Sequence, residues 1–246
     1  MIQVSDTPFP PGTVGYITSG NARYEDFFVA LETTQVPRGT ALSRNSSYNA
    51  AENRNTLIPS MEGDWLWFLD DDHVWESSAL MRLLKHNVDI VVPIYSKRFY
   101  PFEPTIFKRF SPPAQSVLYT WEELSEMRGL IPIEAAGCGG MLVRKRVLEA
   151  MDEPHFRVGT GNGPEFAHLK PDLMLEDQGF CYRARQAGFK IYCDLDVSFG
   201  HLRQAVLVPR RQLDGNFNVF ADLSNMEERF SVWLLKSEKK LIQIAK

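Results

Sequence analysis

Between the turn at Glu62-Gly63 and three consecutive aspartates lies Asp64–Leu69, DWLWFL, an almost unbroken apolar segment of strand length. A strand that is apolar on both faces must be covered on both faces. Parallel or mixed sheets flanked by helices meet that requirement, whereas an antiparallel sheet with one face in water does not. The surrounding order agrees. Thr13–Thr18 reads as a strand, followed by the turn residues Ser19-Gly20-Asn21 and a helical stretch from about Tyr24 to Glu32. Ser77–Leu84 has the composition of a helix, and Asp89–Ile94 is a second apolar, β-branched strand. Alternating strands and helices predict the α/β class.

Elsewhere the pattern is less regular. Pro37–Asn55 is polar and Asn-rich, and no strand stands out between Val36 and Asn55, so Arg44 and Asn45 fall in a loop. A helical pattern emerges through Ala50, Ala51, Arg54, Leu57 and Ile58, closed by Pro59. Tyr95–Pro132 is rich in Pro and aromatic residues and reads as an inserted lobe with strands at Thr105–Phe110 and Ser116–Thr120. Ile131–Ala136, the glycines 137, 139 and 140, and Met141–Arg144 predict short strands or a bend leading into a helix over Lys145–Met151. Asp152–Pro171 is too long for a plain connector and reads as an active-site lid. A helix ending at Gly188, a strand at Lys190–Asp194, an extended piece at Val197–Phe199 and an amphipathic helix around Met226–Leu235 complete the chain.

Composition excludes several function classes. With 44% hydrophobic and 24% charged residues in 246, the chain is an ordinary globular protein. The 27 Lys and Arg against 31 Asp and Glu leave no basic surplus, so no nucleic-acid partner is expected. Cys138, Cys181 and Cys193 lie in no paired spacing and predict free, buried thiols in a reducing, cytoplasmic setting. Pro8, Pro10 and Pro11 argue against a signal peptide, and no apolar stretch approaches the ~20 residues that span a bilayer. A transmembrane segment is not expected.

Three groups of residues carry chemistry. Asp70, Asp71 and Asp72 follow directly on the apolar strand, at the strand end where open α/β sheets place ligands. Adjacent carboxylates repel unless they share a cation, and hard oxygen ligands suit Mg²⁺ or Mn²⁺; an acidic turn capping the next helix is the plainer alternative. Asp177 shares a helical face with Phe180, Cys181 and Ala184, which turns its carboxylate inward, either as a general base or as an anion at the helix N-terminus. His201 can complete a carboxylate site, with His73, His86, His155 and His168 as rivals; His73 is expected to point away with the start of the following helix. Arg54, beside Asn55, suits phosphate or base recognition or a solvated helix face. The glycines bring backbone close to a ligand or make a bend, and Trp65 and Trp67 read as packing.

Taken together, DWLWFLDDDH (64–73), AAGCGGMLVRKRV (135–147), LEDQGFCYRARQAGF (175–189) and Gly200-His201 resemble the GT-A fold, family-2-like nucleotide-sugar glycosyltransferases, over roughly Thr13 to His201. The resemblance implies a single GT-A domain over 1–205, a Rossmann-like mixed sheet flanked by helices. Its nucleotide-binding half is about 1–95 and its acceptor half about 96–205, with a helical extension over 206–246. It implies that Asp70 and Asp72 are the ends of a DXD motif around Asp71, with Asp72 on the metal and Asp70 sharing it or holding the donor ribose. His201 is then the extra metal ligand, and Arg54 the arginine before the DXD strand. Tyr16, Thr18 and Ser19 meet the nucleotide base, and Gly139 and Gly140 line the sugar and acceptor pocket. Asp177 is the base of an inverting enzyme, and Glu176 binds acceptor.

The expected function is therefore a hexosyltransferase-type, Mn²⁺- or Mg²⁺-dependent glycosyltransferase. The donor is a UDP- or GDP-sugar, and the acceptor a hydroxyl of a glycan, small molecule, lipid or protein. A non-catalytic sugar- or nucleotide-binding protein on the same scaffold is the alternative. A sugar-nucleotide pyrophosphorylase is disfavoured, because Gly12–Asn21 has no Lys or Arg.

Overall fold

The structure is a computed structural model. It describes residues 2–18, 24–98, 101–111, 115–157 and 175–203, and after them the backbone of four strands. Two compact units are present, Met1–His201 and Leu202–Lys246. In chain order the first begins with β1 (Gln3–Ser5), β2 (Thr13–Thr18), α1 (Glu25–Thr33), β3 (Gln35–Pro37), β4 (Ala41–Ser46), α2 (Ala50–Leu57), β5 (Trp65–Asp70), β6 (His73–Val74), α3 (Ala79–Lys85) and β7 (Ile90–Ile94). It continues with β8 (Ile106–Ser111), β9 (Gln115–Leu118), α4 (Trp121–Ser125), β10 (Leu130–Ile133), β11 (Ala135–Ala136), β12 (Leu142–Arg144), α5 (Lys145–Glu149), α6 (Glu176–Gln186), β13 (Ile191–Ser198) and β14 (Gly200–His201).

Seven of these strands form one mixed sheet in the order β10, β13, β7, β12, β5, β2, β4. β2 is parallel to β4 and β5, β13 is parallel to β7, and β12 runs antiparallel to both β5 and β7. Five strands therefore share one direction and end on one edge of the sheet, at Ser46, Thr18, Asp70, Ile94 and Ser198.

The apolar run forms β5 near the middle of this sheet. Trp65, Leu66, Trp67, Phe68 and Leu69 are each at most 1% exposed. Alternation sends them to opposite faces: the Trp67 ring meets Trp75 and Phe199, while Phe68 meets Phe156. The indole N–H groups are satisfied as well, Trp65 donating to the Pro10 carbonyl and Trp67 to that of Gly140, both at 2.9 Å. Cys138, Cys181 and Cys193 are free and buried, and burial pushes all three thiols up.

Three expectations change, and a fourth falls outside the described residues. β4 lies where no strand was expected and contains Arg44 and Asn45, which are not in a loop. An edge strand needs only one half-buried face, and β4 alternates between partly buried and exposed residues, so it carries no apolar run. The two pieces expected near 190–199 are one strand, β13, whose pairing with β7 shifts register between Asp194 and Ser198. The long loop, beyond Arg157, lies outside the described residues, so the expected lid does too. In the second unit the expected helix is replaced at Ser231–Leu234 by a strand, and residues 226–230 lie outside the described residues.

That strand, β17, pairs antiparallel with β16 (Phe217–Asp222) and β18 (Leu241–Ala245), and β16 pairs with β15 (Val206–Arg211), so the extension is β rather than helical where it is described. Ser231-Val-Trp-Leu is β-branched and aromatic, and over so short a window its apolar spacing satisfies either period. No helix among the described residues is long and apolar enough to cross a membrane.

Candidate active site

A cleft of about 480 Å³ opens at the edge where the parallel strands end. This is the size of a small-molecule site, in the position open α/β sheets reserve for ligands. Its lining includes Thr18, Asn53, Asp70–His73, Tyr95, Gly137 and Glu176–Gln178.

One cluster in the cleft has the chemistry of a metal site. The two-residue strands β6 and β14 pair antiparallel with His73 directly opposite His201, and the two rings stack with centroids 4.3 Å apart. Asp72 completes the group, and the candidate ligand atoms of Asp72, His73 and His201 all lie within 4.8 Å of one another. His201 Nδ1 lies 2.9 Å from the Ser96 carbonyl, a contact it makes by donating, which leaves Nε2 as a lone pair 3.4 Å from Asp72 Oδ2. Such a backbone hydrogen bond fixes the tautomer a metal-binding imidazole needs. His73 is 1% exposed, and neither ring nitrogen has a hydrogen-bond partner among the described residues, although Nδ1 lies 3.1 Å from Asp72 Oδ1. A buried imidazole left in that state fits a cation, and one carboxylate with two imidazoles suits Mn²⁺. Burial alone would raise the Asp72 carboxyl, but the adjoining His201 and His73 rings, in their protonated form, outweigh it and hold the group well below the usual carboxylate range. Arg98 also donates to Asp72 Oδ2, at 2.7 Å.

A second cluster centres on Arg54, whose side chain is 4% exposed. Its Nη2 donates to both oxygens of Asp70 at 2.8 and 3.0 Å, its Nη1 donates to Glu176 at 2.5 Å, and its guanidinium lies 5.7 Å from the centre of the Phe156 ring. The arginine thereby ties the end of β5 to the start of α6. The next residue, Asp177, accepts from the Gln178 backbone N–H at 2.7 Å and faces the cleft. Burial first, then the Glu176 charge, push its carboxyl up to about 7 against the opposing pull of Arg54. A carboxyl titrating near neutrality in a cleft is equipped to exchange protons with a ligand.

Residues 30–151 match the family described as Glycosyl transferase family 2. Among solved structures, A197 from STIV is similar with a TM-score of 0.50 at 15% identity, over 83% of this chain and 92% of that one. The fold is GT-A, of the family-2 glycosyltransferase type. A structure of GalNAc-T7 with UDP, GalNAc and Mn²⁺ is similar at a TM-score of 0.48 and 10% identity, over 81% of this chain and 45% of that one. No curated protein matches the chain in sequence.

Within this GT-A fold the structure sorts the expected site residues. Asp70, Asp71, Asp72, Glu176, Asp177, Arg54, Thr18 and His201 all line the cleft. Asp70 lies against Arg54 and is absent from the Asp72 cluster, where His73 takes the place expected of it. His73 points into the site because β6, not a helix, follows Asp72; α3 begins only at Ala79. Glu176 is held by Arg54. Tyr16 packs on Phe27 and Phe28 of α1, and Ser19 lies outside the described residues.

Gly137 lines the cleft, whereas Gly139 and Gly140 are buried behind it. A Cβ on Gly139 would come within 2.6 Å of the His73 ring, and Gly140 has φ +88° with its missing Cβ 2.5 Å from Pro93. Sequence reasoning missed Tyr95, Lys97 and Arg98, for which the preceding apolar strand β7 was the one available signal.

Proposed function

We propose that the protein is a divalent-cation-dependent glycosyltransferase that moves a sugar from a UDP- or GDP-sugar to an acceptor hydroxyl. One observation carries this reading. A single cleft brings together an aspartate with two histidines, suited to a hard-to-borderline cation, and a separate aspartate whose proton is balanced near pH 7.

Asp72, His73 and His201 would hold Mn²⁺ or Mg²⁺. A cation so held neutralises the charge that develops on a departing nucleoside diphosphate. Arg98, paired with Asp72, and Lys97, paired with Glu103, line the cleft as well, and a diphosphate would draw on their positive charge. Thr18, at the end of β2, and Asn53, on α2, line the cleft and would meet the nucleoside. Asn53 also braces the turn after β4, accepting from the Asn45 side chain and donating to the Ser47 carbonyl, both at 2.9 Å. Arg54 fixes Asp70 and Glu176, so that Asp177 alone of the α6 carboxylates is left to meet an acceptor.

Asp177 then takes the acceptor proton as the acceptor oxygen bonds to the anomeric carbon. The carbon–oxygen bond to the diphosphate breaks, and the leaving group carries the electron pair. A base on the acceptor side favours inversion at that carbon.

Thermal unfolding with UDP, GDP and other nucleoside diphosphates, each with Mn²⁺ and again with a chelator, tests the reading. A nucleotide at 100 times its Kd adds about 2.7 kcal/mol, or roughly 5–10 °C for a chain of this size. The expected result is such a rise with one nucleotide, lost with chelator and lost in Asp72→Asn. No rise with any nucleotide refutes it.

A further inference from the structure

We infer that Tyr95 is a substrate-binding residue whose hydroxyl bonds the transferred sugar, in the space between the Asp72–His73–His201 cluster and Asp177. This rests on the glycosyltransferase reading above and adds a residue that its motifs do not contain.

Tyr95 directly follows β7 and is 6% exposed, yet it lines the cleft. Its ring packs edge-on against His73, with centroids 4.7 Å apart, and against His201 at 5.9 Å. Its hydroxyl reaches the opposite group of residues. It accepts from the Gly139 backbone N–H at 3.2 Å, and a Cβ placed on Gly137 would lie 2.2 Å from that hydroxyl and 3.6 Å from Asp177 Oδ2. The phenol oxygen and the carboxylate thus face one point, and they make no hydrogen bond with each other among the described residues. Gly137 keeps that point free, since any side chain there would overlap the hydroxyl.

The chemistry of the group suits the position. A phenol hydroxyl is both a donor and an acceptor, so it can bond a sugar hydroxyl in either sense. In a transfer reaction the anomeric carbon must lie between the diphosphate at the cation and the acceptor oxygen at the base. Tyr95 spans that interval, with its ring at the ligand histidines and its hydroxyl beside the base. A sugar seated there presents hydroxyls to it. Such a contact distinguishes a nucleotide-sugar from the bare nucleotide.

Tyr95→Phe keeps the ring and removes the oxygen. Calorimetric titrations in Mn²⁺ would compare UDP with UDP-glucose and UDP-N-acetylglucosamine, and GDP with GDP-mannose, for the native chain and the variant. The expected result is unchanged nucleoside diphosphate affinity, within about twofold, and a loss of about three- to tenfold confined to the nucleotide-sugar. Equal losses for nucleotide and nucleotide-sugar, or no loss for either, overturn the inference while leaving the transferase reading intact. Failure of the native chain to bind any nucleoside diphosphate overturns that reading and this inference with it. Gly137→Ala, which displaces the hydroxyl without removing it, is expected to give the same sugar-specific loss and serves if Tyr95→Phe does not fold.

Discussion

Asp177→Asn is expected to trade activity for stability, with a pH dependence fixed by the position of the carboxyl. In the fold this group titrates at about 7 in place of 3.8, because burial and the charge of Glu176 disfavour its anion more than Arg54 and the Gln178 N–H favour it. The sign follows from proton linkage. Below about pH 4 the folded and unfolded chains both hold the proton, so the raised carboxyl costs nothing. Between about pH 4 and 7 the unfolded chain releases it first, and the fold loses stability as pH rises. Above about 7 the loss is complete. At about 1.36 kcal/mol for each tenfold change, the full cost is about 4 kcal/mol. Asn carries no titrating proton and keeps an oxygen for the Gln178 N–H. Urea unfolding of both chains from pH 4 to 8.5 should give nearly equal stabilities at the acid end and a gap opening to about 4 kcal/mol in favour of Asn by pH 8. Transfer activity should fall about 10²- to 10⁴-fold, the contribution of a positioned base. A stability difference that stays flat across this range, or favours the native chain at pH 8, refutes the account of Asp177 as a partly buried base with a raised carboxyl.

Two further substitutions separate the clusters. Arg54→Met leaves Asp70 and Glu176 without their buried partner and should cost about 3–5 kcal/mol in urea unfolding at pH 7.5. His73→Ala should weaken Mn²⁺ binding more than about tenfold in calorimetry with UDP or GDP present, while Asp70→Asn lowers stability and leaves Mn²⁺ affinity nearly unchanged. The reverse order would return Asp70 to the metal.

What the sequence made legible was what local chemistry encodes. The run Trp65–Leu69 could be covered only inside a sheet, and its end at Asp70 placed the cleft. Asp177 read as inward from its spacing to Phe180, Cys181 and Ala184, all three of which are fully buried. What stayed hidden depended on pairing across the chain. His73 joins the site because a two-residue ladder sets it opposite His201, 128 positions along the numbering, and neither residue carries a local mark of that register. β4 was hidden because an edge strand of Ser, Arg and Asn looks like a loop until β2 lies beside it. Asp70 and Arg54 were both recognised, but not as partners. Only the fold brings the end of β5 and the side of α2 to 2.8 Å.

The balance of charge in the cleft accounts for why these clusters belong together. Asp70, Asp71, Asp72, Glu176 and Asp177 line it against Arg54, Lys97 and Arg98, so the described walls carry more negative than positive groups. Arg54 is already committed to Asp70 and Glu176, and Arg98 to Asp72. A diphosphate entering such walls alone would meet net repulsion at short range, where the low dielectric of a cleft amplifies it. The carboxyl of Asp177, raised first by burial, is raised further by the Glu176 and Asp70 charges, part of the same surplus. A divalent cation at Asp72, His73 and His201 would relieve that surplus, and would do so beside the strand end where the diphosphate is proposed to lie. Cation and nucleotide should therefore each strengthen the binding of the other by the same factor, because a coupling free energy between two ligands is reciprocal. A Kd for UDP or GDP that is indifferent to Mn²⁺ would mean that the carboxylates are balanced by the protein alone, and that the pairing of His73 with His201 is a packing device.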